Sequence, residues 1–187
     1  MIAVMLVVLS CAHEGKDEAM RVSRSQPVGP KTTVTAVVHA PIQKVLDYTV
    51  AEDVLPKVLK RYGPVPAISG TEVLHGPWGR VGADRTVKID GGGTLHEQIT
   101  HFEAPGYFAY RIDQFAGTPL KGFAKGAVGS WEFTDLGGGD TRVEWTYSFE
   151  PTSALTTPIA GAFASTFYRG FMKQALQLIK EGVETKP

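Results

Sequence analysis

The most regular pattern of apolar positions in the chain lies near its C-terminus, between residues 155 and 184. Apolar side chains recur there at spacings of three and four residues, the period of one face of an α-helix. Pro158 falls in the first turn, where the missing amide proton of proline costs least. The pattern predicts one helix of about seven turns. Its predicted buried stripe comprises Ala160, Phe163, Ala164, Phe167, Phe171, Ala175, Leu178 and Ile179.

Alternating apolar and polar positions dominate the chain before that helix and predict β-strands. Residues 31–39 are rich in β-branched side chains and form the first predicted strand. Two short helices follow, the first opened by Pro41 and the second over residues 52–61. Six further strands, separated by glycine-containing turns, are predicted at 68–74, 81–90, 94–103, 107–115, 123–136 and 141–150. The expected fold class is α+β, a curved antiparallel sheet of about seven strands wrapped around the C-terminal helix.

The alternation also indicates which side chains face that helix, because successive residues of a strand point to opposite sides of a sheet. The apolar side of the last strand comprises Val143, Trp145, Tyr147 and Phe149. In the strand before it, Trp131 and Phe133 share one side. These side chains are predicted to meet the helix.

Two charged residues interrupt the inner face. Arg85 shares the parity of Val87, and Glu97 shares the parity of Leu95 in the next strand. The glycine-rich hairpin turn between these strands brings the two charges close to opposite each other. A charge on a buried face needs a partner, which leaves two interpretations open. The pair is either a polar anchor at a cavity wall, aided by the hydroxyl of Tyr110, or an internal salt bridge that satisfies itself.

Composition narrows the classes of partner. The chain has 187 residues, 43% of them hydrophobic, so one domain with a substantial core is expected. Its 19 basic and 19 acidic residues form no basic cluster, which argues against a nucleic-acid partner. His96 and His101 lie five apart on one strand and face opposite sides, so neither a metal site nor any other cofactor is predicted.

The first thirty residues differ in character from the rest. The apolar run at 2–9 precedes Ser10 and Cys11, which resembles a bacterial lipoprotein signal with Cys11 as the lipidated residue and 12–30 as a flexible tether. The run is too short to cross a bilayer. A secretory signal normally has a basic residue before its apolar run, and none is present here. The alternative is that translation begins at Met20. The chain is therefore expected either in the cell envelope, with this anchor as its only membrane contact, or in the cytoplasm.

Three stretches carry a family resemblance: HAPIQKV at 39–45, GADRTV at 82–87 together with Glu97, and GSWEF at 129–133. Through them, residues 31–184 resemble the START-like superfamily, also called SRPBCC, and within it the bacterial polyketide cyclase/dehydrase-like branch. The resemblance implies a helix-grip fold and a START-like ligand-binding domain over 31–187. It also implies a cavity between the sheet and the last helix, suited to a mainly apolar small molecule.

Two function classes follow from that resemblance. The first is binding or carriage of an apolar small molecule or lipid, which a mainly apolar site with a few placed polar groups would serve. The second is a cyclase- or dehydrase-type enzyme acting on a polyketide-like substrate, with Glu97 as acid and base. The lack of a second acid/base candidate on the inner face favours binding. The residues expected to contact the ligand are Arg85, Glu97, Tyr110, Trp131, Trp145, Tyr147, Phe163 and Phe167.

Overall fold

The computed structural model describes residues 24–185, and its strands form one antiparallel sheet. Cys11, and with it the predicted lipid attachment, lies outside these residues. The order across the sheet is β1-β7-β6-β5-β4-β3-β2, so the first and last strands pair and all other neighbours are consecutive in the chain. The strands are β1 (Lys31–Val38), β2 (Ile68–His75), β3 (Asp84–Ile89), β4 (Gly93–Glu103), β5 (Tyr107–Ala116), β6 (Ala124–Gly137) and β7 (Asp140–Pro151).

Helices connect the two edges of this sheet and then cover one of its faces. The helices are α1 (Ile42–Thr49), α2 (Val54–Val58), α3 (Thr157–Phe163) and α4 (Arg169–Glu184). Short 3₁₀ turns occupy Pro119–Gly122 and Ala154–Thr156. The predicted α+β helix-grip architecture is confirmed, with its seven antiparallel strands, two short helices after the first strand and long C-terminal helix. Within the described residues, none of the helices combines the length and the apolarity needed to cross a membrane.

Two elements are shorter than the sequence pattern predicts. The strand β3 begins at Asp84 rather than at residue 81, because Gly79 and Gly82 have φ angles of 93° and 87° and bend the chain there. The helix α2 ends at Val58, because Leu59 has a ψ of 74° and leaves the helical conformation. The carbonyl of Leu59 instead accepts a hydrogen bond from the amide of Ile68, which ties the end of α2 to β2.

The C-terminal helix is continuous, but its geometry changes in the middle. A π-helical segment, Ala164–Tyr168, lies between α3 and α4. Its hydrogen bonds span five residues instead of four, so each residue advances the backbone by a smaller angle than in an α-helix. Tyr168 is therefore buried, whereas Phe167 is 41% exposed. The prediction that Phe167 belongs to the core is wrong, because a uniform α-helical period does not hold through this segment.

The core lies between this helix and the sheet face that it covers. Large aromatic rings occupy the sheet side, where Trp131 and Trp145 stack with centroids 4.4 Å apart and planes at 10°. The ring of Tyr168 packs on Tyr147 and Phe149 of β7, at centroid distances of 4.5 and 5.0 Å. The helix side contributes small buried residues, among them Ala160, Ala164 and Ala175. Aromatic pairs of this kind stabilise a core beyond the area they bury.

Residues 24–30 pack on the opposite, outer face of the sheet. The hydroxyl of Ser148 accepts hydrogen bonds from the amides of Val28 and Gly29, each at 3.0 Å. The guanidinium of Arg24 lies 4.4 Å from the centre of the Tyr107 ring and 3.2 Å from the carboxylate of Glu132. This part of the predicted tether is thus attached to the sheet.

A series of side-chain hydrogen bonds also crosses the outer face between β2 and β5. Asp84 lies 2.8 Å from Nδ1 of His75 and 3.0 Å from Nε2 of His96, whose Nδ1 lies 3.0 Å from Asp113. The hydrogen bond between Asp84 and His96 lowers the pKa of Asp84 and raises the pKa of His96 from their ordinary values. The protonated form of His96 therefore stabilises the outer face of the sheet across β3, β4 and β5.

Because the π-helical segment turns one ring inward and leaves the other partly exposed, we expect two phenylalanines of the C-terminal helix to contribute unequally to the free energy of unfolding. Phe171→Ala removes a ring that is 3% exposed, so we expect the free energy of unfolding to fall by about 3–5 kcal/mol. Phe167→Ala should cost less than half as much, because part of that ring already contacts solvent. Urea unfolding of the two variants measures both values. Similar losses of stability would contradict the assignment of Phe171 to the core and of Phe167 to the rim.

The hydrogen bonds of His96 predict a pH-dependent contribution to stability. The pKa of His96 is higher in the folded state than in the unfolded state, where it is about 6.5. The contribution of His96 to stability is therefore complete below the unfolded pKa and is lost as the pH rises through the folded pKa. The stability difference between the wild type and His96→Gln should therefore shrink as the pH rises above the unfolded pKa of about 6.5. His101→Gln is the matched control, and an equal pH dependence in both variants would contradict the assignment.

Candidate ligand cavity

A cavity of about 370 Å³ lies between the inner face of the sheet and the C-terminal helix. Its volume falls within the range of small-molecule sites, about 300–1,000 Å³. Side chains from α1, α2, the strands β2 to β7 and the C-terminal helix line it, and most of them are apolar. The polar side chains in the lining are Thr49, Arg85, Glu97, Tyr110, Thr118, Tyr147 and Tyr168.

Arg85 and Glu97 form a buried ion pair in the wall of this cavity. They are direct partners in the register of β3 and β4, and Nε of Arg85 donates to the Glu97 carboxylate at 2.6 Å. Gly91 and Gly92, with φ angles of 92° and 103°, make the tight turn that sets this register. The two residues are only 3% and 4% exposed. The structure therefore joins the two charges that the strand pattern placed on one face.

The guanidinium of Arg85 is held by more than the carboxylate. Its central carbon lies 3.7 Å from the centre of the Trp78 ring, a cation–π contact that covers one face of the group. Its Nη1 atom is buried and has no hydrogen-bond partner among the described residues. A buried donor without an acceptor is costly, so this nitrogen marks a position where an oxygen atom of a ligand would be stabilised.

Tyrosine hydroxyls occupy the same region. The indole nitrogen of Trp145 donates to the hydroxyl oxygen of Tyr110 at 3.0 Å, which leaves the proton of that hydroxyl free to donate elsewhere. Burial raises the pKa of Tyr110 well above its ordinary value, and the negative charge of Glu97 raises it further. Burial likewise raises the pKa values of Tyr147 and Tyr168. All three side chains therefore remain neutral at physiological pH.

Gly129 makes room for the ring of Tyr110. The two residues are register partners on β6 and β5. A Cβ atom at position 129 would lie 2.1 Å from the ring of Tyr110, far inside contact distance. Glycine at this position lets the tyrosine lie across the neighbouring strand, with its hydroxyl next to Trp145.

One side of the cavity reaches solvent beside the π-helical segment. Phe163 packs on Phe123 and on Phe167, with centroid distances of 5.3 and 6.3 Å, and all three rings line the cavity. Because Phe167 is also partly exposed, it marks the rim of the cavity mouth. Thr118, another lining residue, has a buried hydroxyl oxygen without a partner among the residues that the structure describes.

All eight residues that the sequence proposed for the ligand site line this cavity. Phe167 does so from the rim rather than from the core. Two prominent contributors were missed, Trp78 and Tyr168. Trp78 lies in a glycine- and proline-containing turn, where a large aromatic side chain is unusual and could have been noticed. Tyr168 was missed because the π-helical turn changes the helix phase.

The residues that the structure describes do not form a recognisable metal site. Within residues 24–185, no group of three or more His, Cys, Asp or Glu side chains is arranged to hold a metal ion. The ionisable groups at the cavity are the ion pair and the three tyrosines.

Comparison with protein families gives a match over most of the chain. The model of the family described as polyketide cyclase/dehydrase and lipid transport matches residues 29–184. No curated protein matches the sequence.

Several solved structures share the fold at low sequence identity. Ara h 8.0201 has a TM-score of 0.65 at 15% identity, covering 83% of this chain and 98% of its own. The aromatase/cyclase ZhuI from Streptomyces sp. R1128 has a TM-score of 0.63 at 17% identity, covering 82% and 93%. Ginseng major latex-like protein 151 from Panax ginseng has a TM-score of 0.60 at 17% identity, covering 83% and 97%.

Because the ion pair is buried, we expect a single substitution to destabilise the protein far more than the double substitution. Glu97→Leu leaves the charge of Arg85 buried and unpaired, and should reduce the free energy of unfolding by about 3–5 kcal/mol. The double variant Arg85→Met/Glu97→Leu should be nearly neutral or more stable than the wild type. Urea unfolding gives both values.

The exposed pair of Lys88 and Glu72, 2.9 Å apart on β3 and β2, supplies the matched control. Its removal by Lys88→Met/Glu72→Leu should change the stability by less than about 1 kcal/mol. A double variant at Arg85 and Glu97 that is as unstable as Glu97→Leu would show that the pair is essential to the fold.

Proposed function

The chain belongs to the polyketide cyclase/dehydrase and lipid transport family, and from that premise we propose that it binds and carries an apolar small molecule whose oxygen atom accepts a hydrogen bond from Arg85. The observation that carries this proposal is the Nη1 atom of Arg85, which is buried in the wall of an apolar cavity and has no partner among the described residues. A ligand oxygen would satisfy that donor, while the surrounding apolar side chains bury the rest of the ligand.

The charges at the site favour an uncharged oxygen over a carboxylate. Arg85 and Glu97 together carry no net charge, so an added anion would bring an excess negative charge into a poorly solvated site. That anion would also lie near the carboxylate of Glu97, and like charges repel strongly where water is excluded. A ketone, ester or amide carbonyl satisfies the donor without this cost. The hydroxyl proton of Tyr110 is a second donor on the same wall.

Catalysis of a cyclase or dehydrase type is the second candidate function. The observation that favours it is the carboxylate of Glu97, which lines the cavity beside a guanidinium that could stabilise a developing enolate. In that reaction Glu97 would move a proton on a polyketide-like substrate. Carriage is preferred because no second carboxylate lines the cavity among the described residues.

The proposal predicts a ranking of ligands that depends on Arg85. A medium-chain methyl ketone should bind more tightly than the carboxylic acid of the same length, and the corresponding alkane should bind weakly. The double variant Arg85→Met/Glu97→Leu, which leaves no unpaired charge in the cavity wall, should reduce affinity for the ketone by about ten- to a hundred-fold, as expected for a lost hydrogen bond to a charged donor, and leave the alkane unaffected. Lys88→Met, an exposed cation on the same strand, is the matched control.

Displacement of an apolar fluorescent dye measures these affinities, and native mass spectrometry of the purified chain identifies what it carries. Equal ketone affinity in the wild type and in Arg85→Met/Glu97→Leu would refute the proposed role of Arg85. Incubation of candidate substrates with the wild type and Glu97→Gln separates the two functions, because turnover that depends on Glu97 would establish the enzyme.

A further inference from the structure

The chain contains a long stretch without any charged side chain, residues 151–168, between Glu150 and Arg169. Charged residues make up 20% of the whole sequence, so an uncharged stretch of this length is unusual. It covers a 3₁₀ turn, α3 and the π-helical segment. Most of its residues are exposed, so burial does not explain the lack of charge.

Large apolar side chains are exposed along this stretch. Leu155 is 87% exposed, Ile159 is 56% exposed and Phe167 is partly exposed, with Phe163 between them at the same spacing of four residues. Ile159 and Phe163 share one side of α3 by this spacing, Leu155 lies in the 3₁₀ turn that precedes α3, and the ring of Phe167 lies next to that of Phe163, with centroids 6.3 Å apart. These four residues form what we call the apolar ridge. A soluble surface rarely groups exposed side chains of this size unless they contact something.

The apolar ridge runs to the mouth of the cavity. Phe163 and Phe167 line the cavity, whereas Leu155 and Ile159 continue the ridge away from it. Tyr62, also exposed, extends the apolar surface across the mouth, because its ring lies so close to the C-terminal helix that a Cβ atom on Gly170 would be 2.4 Å from it. The exposed apolar surface and the apolar cavity are therefore continuous.

Basic side chains flank this surface. The segments 57–66 and 117–123, which supply lining residues beside the mouth, contain Lys57, Lys60, Arg61 and Lys121 and no carboxylate. Lys57 pairs with Asp53, one turn earlier at the start of α2, and Arg61 pairs with Asp90 in the turn between β3 and β4. Lys121 is exposed and has no ion pair among the described residues. An uncharged apolar centre with cations at its sides is complementary to a bilayer whose headgroups are anionic.

We propose that the apolar ridge is a docking face for an anionic lipid bilayer, which would bring the mouth of the cavity to the membrane surface. Leu155, Ile159 and Phe167 would enter the boundary between headgroups and acyl chains, and Lys121 would contact the headgroups. Docking at this face is independent of any anchor at Cys11. The further step, exchange of ligand between cavity and bilayer, rests on the proposed function, whereas docking does not.

Flotation of the full-length chain with vesicles tests this docking. The Cys11→Ala background excludes attachment through a lipidated cysteine. The vesicles are phosphatidylcholine alone and phosphatidylcholine with phosphatidylglycerol. We expect binding to the anionic vesicles, and a loss of at least about ten-fold for Leu155→Asp/Ile159→Asp, since each substitution removes an apolar side chain from the lipid and adds a charge. Lys121→Glu should weaken binding to the anionic vesicles only.

Leu136→Asp is the matched control, because Leu136 is also an exposed leucine but lies near the far end of β6, at the hairpin to β7. Its binding to vesicles should not change. Leu155 and Ile159 do not line the cavity, so their variant should keep its unfolding midpoint and its affinity for dissolved apolar ligands. Vesicle binding that depends on Leu155 and Ile159 supports docking even if the cavity proves to hold no apolar ligand, an outcome that would count against the proposed function alone.

Two results would overturn the docking proposal. One is vesicle binding that is equal in the background chain and in Leu155→Asp/Ile159→Asp. The other is a dimer of the chain in light scattering that this double substitution converts to monomer, which would assign the apolar ridge to contact between two copies.

Discussion

The apolar inner face of the seven-stranded sheet has to be removed from water, and one C-terminal helix performs most of that task. The sheet contributes large rings, such as Trp131, Trp145 and Phe149, while the helix contributes alanines at several of the facing positions. Small residues let the helix approach the rings closely at some points. A single helix cannot cover the whole face of a sheet this wide, so a cavity remains where the loops and the short helices complete the enclosure.

The π-helical segment links the packing of the core to access to the cavity. It turns Tyr168 inward, where the ring packs on Tyr147, and leaves Phe167 at the rim. A helix with uniform α-helical geometry would orient both residues differently. Distortions of this type are frequent at functional sites, and here the distortion lies where an apolar surface leads into an apolar cavity.

The ion pair in the cavity wall is costly for a protein to maintain. Two charges are taken out of water, and apolar residues of similar size would often be at least as stable in their place. The pair of Arg85 and Glu97 nevertheless has close geometry, with the guanidinium packed on Trp78, and still leaves one donor nitrogen without a partner. The proposed ligand contact rests on that nitrogen.

The sequence by itself determined the order of the helices and strands and the faces of the strands. Period-two alternation identified the inner face, and because β3 and β4 form a tight hairpin, parity alone predicted that Arg85 would oppose Glu97. These features depend on local periodicity and short connections, which a sequence displays directly. Seven of the eight predicted lining residues follow from the same reasoning, since side chains on the inner face of the sheet or on the buried stripe of the helix point toward the space between them, whereas Phe167 lines the cavity from its rim.

Only the tertiary structure decided the positions of Trp78, Tyr168 and Phe167. Trp78 reaches Arg85 from a loop whose path has no periodic signal, and the π-helical turn interrupts an apolar period that the sequence continues without a break. The exposure of the apolar ridge could not be predicted from the sequence for the same reason. Apolar residues four apart are typical of a buried helix face, and their exposure is known only once the elements that pack on the helix are known. Periodicity reports which residues share a side of an element, whereas burial depends on what packs against that side.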